Sequence, residues 1–195
     1  QGVCMVNEIF KLGFRGPYLA IAPKSTLMQW EREFHNWTNL NVVRYSEGKK
    51  ARQIISKYEL YWTKPDGEND ERFEKFEVML MNYEKLLIDE VQEIVKKFTW
   101  EYVVVDEAHR LKNSNNKTYK FIENLLKTES IKHILLMTGT PMQNHQSEIW
   151  GLLHLIDPRN FDDLEAFEKE FDNGENTEKL QHLIEPYMLR RRKEE

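Results

Sequence analysis

Residues 100–111, WEYVVVDEAHRL, decide how this chain reads. Tyr102, Val103, Val104 and Val105 form an unbroken apolar run, too short for a helix and rich in β-branched side chains, which predicts a strand buried on both faces. Asp106 and Glu107 stand where that strand runs out. Open α/β sheets collect ligands outside the carboxyl ends of their strands, so acids placed there meet a substrate rather than a core. One carboxylate can hold a hydrated Mg2+, which prefers oxygen ligands and keeps most of its waters, while a neighbour orients or deprotonates an attacking water. Phosphoanhydride hydrolysis needs that division of labour. The same two acids can also do no more than end a strand and open a helix, and taken alone the pair is more often structural than catalytic.

A second stretch raises the catalytic reading. His133 to Met137, HILLM, is another short apolar run, followed at once by Thr138, Gly139, Thr140, Pro141, Met142, Gln143 and Asn144. TGTPMQN predicts a polar turn at a strand's carboxyl end, with Gly139 for backbone freedom and Pro141 to stop the strand. Two strands then deliver carboxylate, hydroxyl and amide groups to one edge. DEAH followed by TGTPMQN resembles motifs II and III of the superfamily-two helicases, and in particular the Swi/Snf branch of chromatin-remodelling ATPases.

Composition bounds the alternatives. The chain has 195 residues, 40% hydrophobic and 31% charged, which suits one α/β domain with a full core and excludes a disordered chain. No apolar run approaches the ~20 residues of a membrane-spanning helix. The single Cys4 rules out an internal disulfide and fits a reducing compartment. Nothing resembles a signal peptide, so the Asn36-Trp37-Thr38 and Asn116-Lys117-Thr118 sequons read as chance occurrences. The net charge of −5 gives no general attraction for nucleic acid, so a DNA partner has to be met by a local basic face.

Taken in order, residues 1–12 carry Val3, Val6, Ile9 and Phe10 at helical spacing, a helix with no capping residue before it, which suggests a fragment. Tyr18 to Ala22 predicts a buried strand. The following Lys24, Ser25 and Thr26 offer hydroxyls and helix amides to a phosphate, although an ordinary cap on the helix LMQWEREFHNW is the simpler physical reading. Trp30, Phe34 and Trp37 recur at helical spacing and are expected to face the core. Residues 41–45 predict a strand, and the helix over 51–61, basic through Lys49, Lys50, Arg52 and Lys57, a solvated face. TKPDGENDERF, 63–73, predicts a surface loop or hairpin. A strand over 77–81 ends in Asn82, Tyr83 and Glu84, and one helix is expected from 84 to 98. Helices are further predicted over 118–126, 147–156, 161–171 and 177–183, and neither repeats nor low-complexity tracts occur.

The resemblance covers nearly the whole chain. APKSTLMQWEREF resembles motif Ia and NYE resembles motif Ib, usually TTYE or TSYE, both of which contact the DNA backbone in this family. GPYLAIAPKSTLMQWEREFHNW, the KPDG-bearing insertion and LLHLIDP are most similar to the chromodomain-helicase-DNA-binding remodellers. The resemblance implies an α/β, three-layer RecA-like domain with a central, mainly parallel sheet (strands near 18–22, 42–45, 77–81, 101–105 and 133–137) and helices on both faces. It implies an N-terminal ATPase lobe over 1–186, beginning just after the phosphate-binding loop, with 187–195 starting the connection to a second lobe. The sequence contains no G-x-x-x-x-G-K-[ST].

The implied cofactors are ATP and Mg2+, the partners double-stranded DNA, nucleosomes and a second lobe of the same chain, with no membrane, and the location nuclear. Asp106 would hold Mg2+ through water and Glu107 activate water. His109 would relay from the nucleotide to the motif III turn through Thr138, Gly139 and Thr140. Gln143 would complete the catalytic set and, with Asn144, face the other lobe. Lys24, Ser25, Thr26, Asn82, Tyr83, Lys112 and Asn113 would meet DNA. The parent protein would hydrolyse ATP and this fragment alone would not. Four alternatives compete, and a serine hydrolase is set aside because the sequence has no G-x-S-x-G. A non-catalytic DNA- or protein-binding platform lacks the phosphate loop by design, a DEAH-class RNA helicase carries SAT rather than TGT in motif III, and zinc binding needs a paired His or Cys spacing not found here.

Overall fold

In the computed structural model, which describes residues 1–111, 116–139, 146–171 and 176–189, the five predicted strands assemble into one wholly parallel sheet. They are β1 (Tyr18–Ala22), β2 (Val42–Arg44), β5 (Val78–Asn82), β6 (Tyr102–Val105) and β7 (Ile134–Leu136). Their order is β2-β5-β1-β6-β7. A hairpin of β3 (Tyr61–Thr63) and β4 (Asn69–Glu74) stands apart as a second, antiparallel sheet, turning through Gly67 at φ 87°. Of the surface loop or hairpin expected over 63–73, the hairpin is what forms.

Alternation along each strand sorts side chains onto two faces, because successive Cβ atoms point to opposite sides of a sheet. Tyr18, Ala20, Ala22, Val78, Leu80 and Val104 pack with α1 (Gly2–Lys11) and α2 (Leu27–Trp37) through Val3, Val6, Leu27 and Phe34. Leu19, Ile21, Met79, Met81, Val103 and Val105 pack on the other face with α4 (Asp89–Val95) and α5 (Lys117–Lys127) through Val91, Val95, Tyr119 and Ile122. These two apolar layers make the three-layer α/β architecture that the resemblance implies. Trp100 anchors the second layer. It is wholly buried, donates from Nε1 to the Val95 carbonyl at 3.0 Å, and meets Phe98 at 5.2 Å between ring centres.

Connectivity makes one crevice special. The chain leaves β1 through α2 toward β2, and leaves β6 through α5 toward β7, so the neighbours β1 and β6 send their connections to opposite sides. That is the topological switch point where open α/β sheets bind ligands, at the strands' carboxyl ends.

Several expectations need correction. The helix expected over 84–98 is interrupted: a 3-10 turn runs Tyr83–Leu87, Ile88 is extended (φ −97°, ψ 119°), and α4 covers only Asp89–Val95, with Asp89 and Glu90 favouring the start of a helix. Trp37 is exposed, 65%, and donates to Glu33 rather than entering the core. Neither Ser25 nor Thr26 caps α2. Thr26 occupies the cap position but its hydroxyl donates to the Pro23 carbonyl at 3.1 Å. Arg52, expected on a solvated face of α3 (Lys49–Tyr58), is buried and donates to the Glu47 carbonyl at 2.7 Å. β7, though wholly apolar in sequence, is half-buried, because it is the last strand of the sheet.

After β7, α6 (Gln146–Ile156), α7 (Leu164–Phe171) and α8 (Thr177–Ile184) build a smaller core from Trp150, Leu153, Phe161, Phe167, Phe171 and Leu180. One ion-pair cluster ties it to the sheet. His154 of α6 places Nε2 3.1 Å from the Glu123 carboxylate of α5 and Nδ1 2.5 Å from the Phe161 carbonyl, while Lys127 donates to Glu123 at 2.8 Å. Burial alone would raise the Glu123 carboxyl, yet the hydrogen bonds and charges of Lys127 and His154 outweigh it and hold that group below its ordinary value of 4.5. The folded chain therefore binds this proton less readily than the unfolded chain. The resulting stability is fully present above pH 4.5 and is lost as pH falls through the lowered folded value. Glu123→Gln is expected to flatten the acid limb of the stability–pH curve measured by urea unfolding, and an unchanged limb would contradict the assignment.

Candidate active site

The crevice between β1 and β6 is built first from backbone. The Asp106 N–H donates to the Ile21 carbonyl of β1 at 2.8 Å, and the Ala108 N–H donates to the Met137 carbonyl just past β7 at 2.8 Å. The end of β6 is therefore tied on both sides, and the acids cannot drift from the bend that follows β7. Alternation places Asp106 on the α1–α2 face with Val104, and Glu107 then turns out of the sheet at φ 52°. A non-glycine residue there is strained, and such strain persists only where surrounding structure imposes it.

Both oxygens of Asp106 are engaged. Oδ1 accepts the Glu107 N–H at 3.0 Å, and Oδ2 accepts the indole N–H of Trp30 at 2.8 Å. The Tyr83 hydroxyl donates to the carbonyl of Asp106 and, at 3.2 Å, to that of Glu107. Burial pushes the Tyr83 hydroxyl above its ordinary value of 10, against a smaller opposing pull from Arg110, so it stays a donor. Glu107 is half exposed and its Oε2 lies 3.2 Å from Nδ1 of His109. The same nitrogen is 3.5 Å from the Thr138 hydroxyl. Asp106, Glu107, His109 and Thr138 are thus neighbours in space.

An open cleft of about 780 Å³ runs past these groups, lined by Pro23, Lys24, Ser25, Glu84, Glu107, His109 and Arg110. Lys24 and Ser25 are exposed on it, whereas the Thr26 hydroxyl turns back to Pro23. Asn82 and Tyr83 do not reach it as phosphate donors. Asn82 is 3% exposed and its amide donates to Glu84, while Tyr83 is 6% exposed and its hydroxyl is spent on the acid turn. The expected direct DNA contacts from these two side chains therefore do not fit this conformation. Lys112, Asn113, Thr140, Gln143 and Asn144 lie outside the described residues, and Gly139 is exposed beside Thr138.

Three participants went unassigned in the sequence. Arg110 sits over the Tyr83 ring at 4.9 Å and 3.6 Å from Glu84. The Glu84 carboxyl is held below its ordinary value, first by its own backbone amide and then by Asn82, Arg110 and Lys24, against burial. Trp30 is the third, expected in the core and found half-buried with its N–H on Asp106. Its signal was available in principle, since a half-buried indole N–H takes an acceptor and the nearest strand end carries a carboxylate.

The donor set suits Mg2+. Asp106, next to the cleft-lining Glu107, presents hard carboxylate oxygens, each with a lone pair beyond its single hydrogen bond, and Mg2+ is commonly held by one or two carboxylates with waters and substrate phosphates. Among the described residues no three His, Cys, Asp or Glu side chains converge on a metal-sized site.

Comparison with known proteins agrees with this architecture. The family profile described as SNF2-related domain matches residues 3–195. Human chromodomain-helicase-DNA-binding protein 7 is 40% identical over 198 residues, taking 100% of this chain and 6% of that protein. Chromodomain-helicase-DNA-binding protein 8 of Xenopus tropicalis is 39% identical over 200 residues, 100% of this chain and 9% of its own length. The chain thus spans less than a tenth of these relatives. The SWI2/SNF2 ATPase core of Sulfolobus solfataricus, solved in complex with double-stranded DNA, superposes with a TM-score of 0.77 at 26% identity, covering 97% of this chain and 36% of that one. The fold is the RecA-like arrangement of that core, and with the profile match extending over almost every residue the chain belongs to the SNF2-related domain family.

Proposed function

We propose that this chain is the first lobe of a DNA-dependent ATPase that translocates on double-stranded DNA and remodels nucleosomes in the nucleus. The observation that carries the proposal is the meeting of the acid pair with the bend after β7: one His109 nitrogen lies 3.2 Å from Glu107 and 3.5 Å from Thr138. In that reading Glu107, held at the mouth of the cleft, orients a water and takes its proton as the water attacks the terminal phosphoryl group, the β–γ phosphoanhydride bond breaks and ADP leaves. Asp106 would hold the metal through water. Bound Mg2+ would neutralise charge building on the phosphate oxygens. His109 carries the state of Glu107 to Thr138, and Thr140, Gln143 and Asn144 belong to the same proposed relay to a second lobe. Lys24 and Ser25, exposed on the cleft, meet the DNA backbone, where positive charge and hydroxyl donors supply affinity without reading sequence. Lys112 and Asn113 belong to the same proposed contact.

The names of the chromodomain-helicase-DNA-binding relatives and the DNA-bound SWI2/SNF2 core support the substrate and partner. A phosphate loop supplies backbone amides and a lysine to the β and γ phosphates, and this sequence has no such motif. The isolated chain is accordingly expected to release no phosphate above background with saturating DNA, and DNA-stimulated turnover by it alone would refute the division of labour. In the longer protein that includes the loop and second lobe, Glu107→Gln keeps the shape of the side chain and removes the base. Turnover should fall by about 100-fold or more while ATP still binds. Undiminished turnover would leave the non-catalytic platform as the better reading.

A further inference from the structure

We infer that Trp30 and Tyr83 are positioning residues for the acid pair, Trp30 fixing the Asp106 carboxylate and Tyr83 fixing the turn that aims Glu107. The inference rests on the assignment of Asp106 and Glu107 to Mg-ATP hydrolysis. Trp30 comes from α2 and Tyr83 from the segment after β5, so the two donors converge on the acids from separate elements.

The indole is suited to its task by what it lacks. It is a neutral donor with no acceptor, so it holds Oδ2 of Asp106 at 2.8 Å without cancelling the charge that a cation needs, as a lysine or arginine in that place would. With Oδ1 held by the Glu107 N–H at 3.0 Å, the plane of the carboxylate is set, and one lone pair on each oxygen remains for a water of the metal shell. Trp30 in turn cannot retreat. Its ring packs against Phe34, 6.1 Å between centres, and against the start of α1, where a Cβ on Gly2 would lie 2.9 Å from Trp30 Cη2 and 2.9 Å from the Met137 sulfur. That close approach requires glycine, and it wedges the indole between α1 and the acid.

Tyr83 acts on backbone. Its hydroxyl spans the carbonyls of Asp106 and Glu107, the two peptide groups flanking the φ 52° residue, and Arg110 covers its ring at 4.9 Å. The Arg110 N–H also holds the Glu107 carbonyl, at 3.0 Å, so what the Tyr83 bridge adds is the tie between that carbonyl and the Asp106 carbonyl, and its loss loosens the turn that aims Glu107. Partners that orient metal-binding groups from behind typically matter 10–100-fold when removed, about the size expected here.

The test has a structural and a kinetic arm. In this chain labelled with 15N at its five tryptophans, Trp30→Phe assigns the Trp30 indole N–H resonance, and Asp106→Asn is expected to move that resonance far more than the others. In the longer protein, Trp30→Phe keeps the ring and should raise the Mg2+ concentration for half-maximal ATP hydrolysis about tenfold, with a smaller change in the KM for ATP. Tyr83→Phe should lower kcat about tenfold with the Mg2+ dependence unchanged. Both variants should unfold near the wild-type midpoint. Wild-type Mg2+ dependence in Trp30→Phe, wild-type kcat in Tyr83→Phe, or an indole resonance blind to Asp106→Asn would overturn the inference. Failure of the underlying assignment reads differently: Glu107→Gln would then turn over like the wild type while the indole resonance still responded to Asp106→Asn.

Discussion

The structure depends on the hydrogen-bonded pairing of β6 on both of its edges. Val103 to Val105 sit in register with Leu19 to Ile21 on one side and with Ile134 to Leu136 on the other. Because alternation has a period of two, a slip of one residue would send Val103 and Val105 into the α1–α2 layer and swing Asp106 to the opposite face, away from Trp30. All three valines are buried, so such a slip is opposed by the whole core. The acids inherit their direction from that opposition, and the site needs no separate device to choose their face.

Aromatic side chains then carry this direction from the sheet to the carboxylates. On one side the line runs Gly2, Trp30, Asp106, and on the other it runs Arg110, Tyr83 and the carbonyls of Asp106 and Glu107. Rigid rings with a single polar tip suit this work, since they fill volume like core residues yet end in one directed hydrogen bond. The α6–α8 helices form a second, smaller core hung on the sheet by Glu123, Lys127 and His154. Positioned beyond β7, they extend the body of the domain without entering the cleft, whose described lining comes from the ends of β1, β5 and β6.

Much of this was legible in the sequence where residue pattern and local structure share one cause. The parallel strands read directly, because short β-branched runs such as VVV have no other way to bury both faces. Two strand ends in one sheet put Asp106 and Glu107 near Thr138, and the resemblance placed His109 between them. What stayed hidden depended on tertiary partners. Helical spacing put Trp30, Phe34 and Trp37 on one stripe, yet only Phe34 is fully buried: α2 ends at Trp37, past the edge of the sheet's cover, and Trp30 reaches the crevice. Asn82 and Tyr83 are expected to meet DNA because NYE resembles motif Ib, but the preference of a buried hydroxyl and amide for nearby acceptors turns both inward. Arg52 was misread for the same reason, its guanidinium bending back to a carbonyl five residues earlier.

The central claim is that the acid-bearing end of β6 and the Thr138 bend after β7 work as one site, joined through His109. A double-variant cycle on kcat in the longer ATPase tests it directly, using His109→Ala, Thr138→Val and the two together. Residues coupled through one contact lose less when removed together than the sum of the separate losses, by about 0.5–3 kcal/mol in transition-state stabilisation, and the account expects a shortfall of that size. Losses that simply add would mean that the two strand ends act independently, and would contradict it.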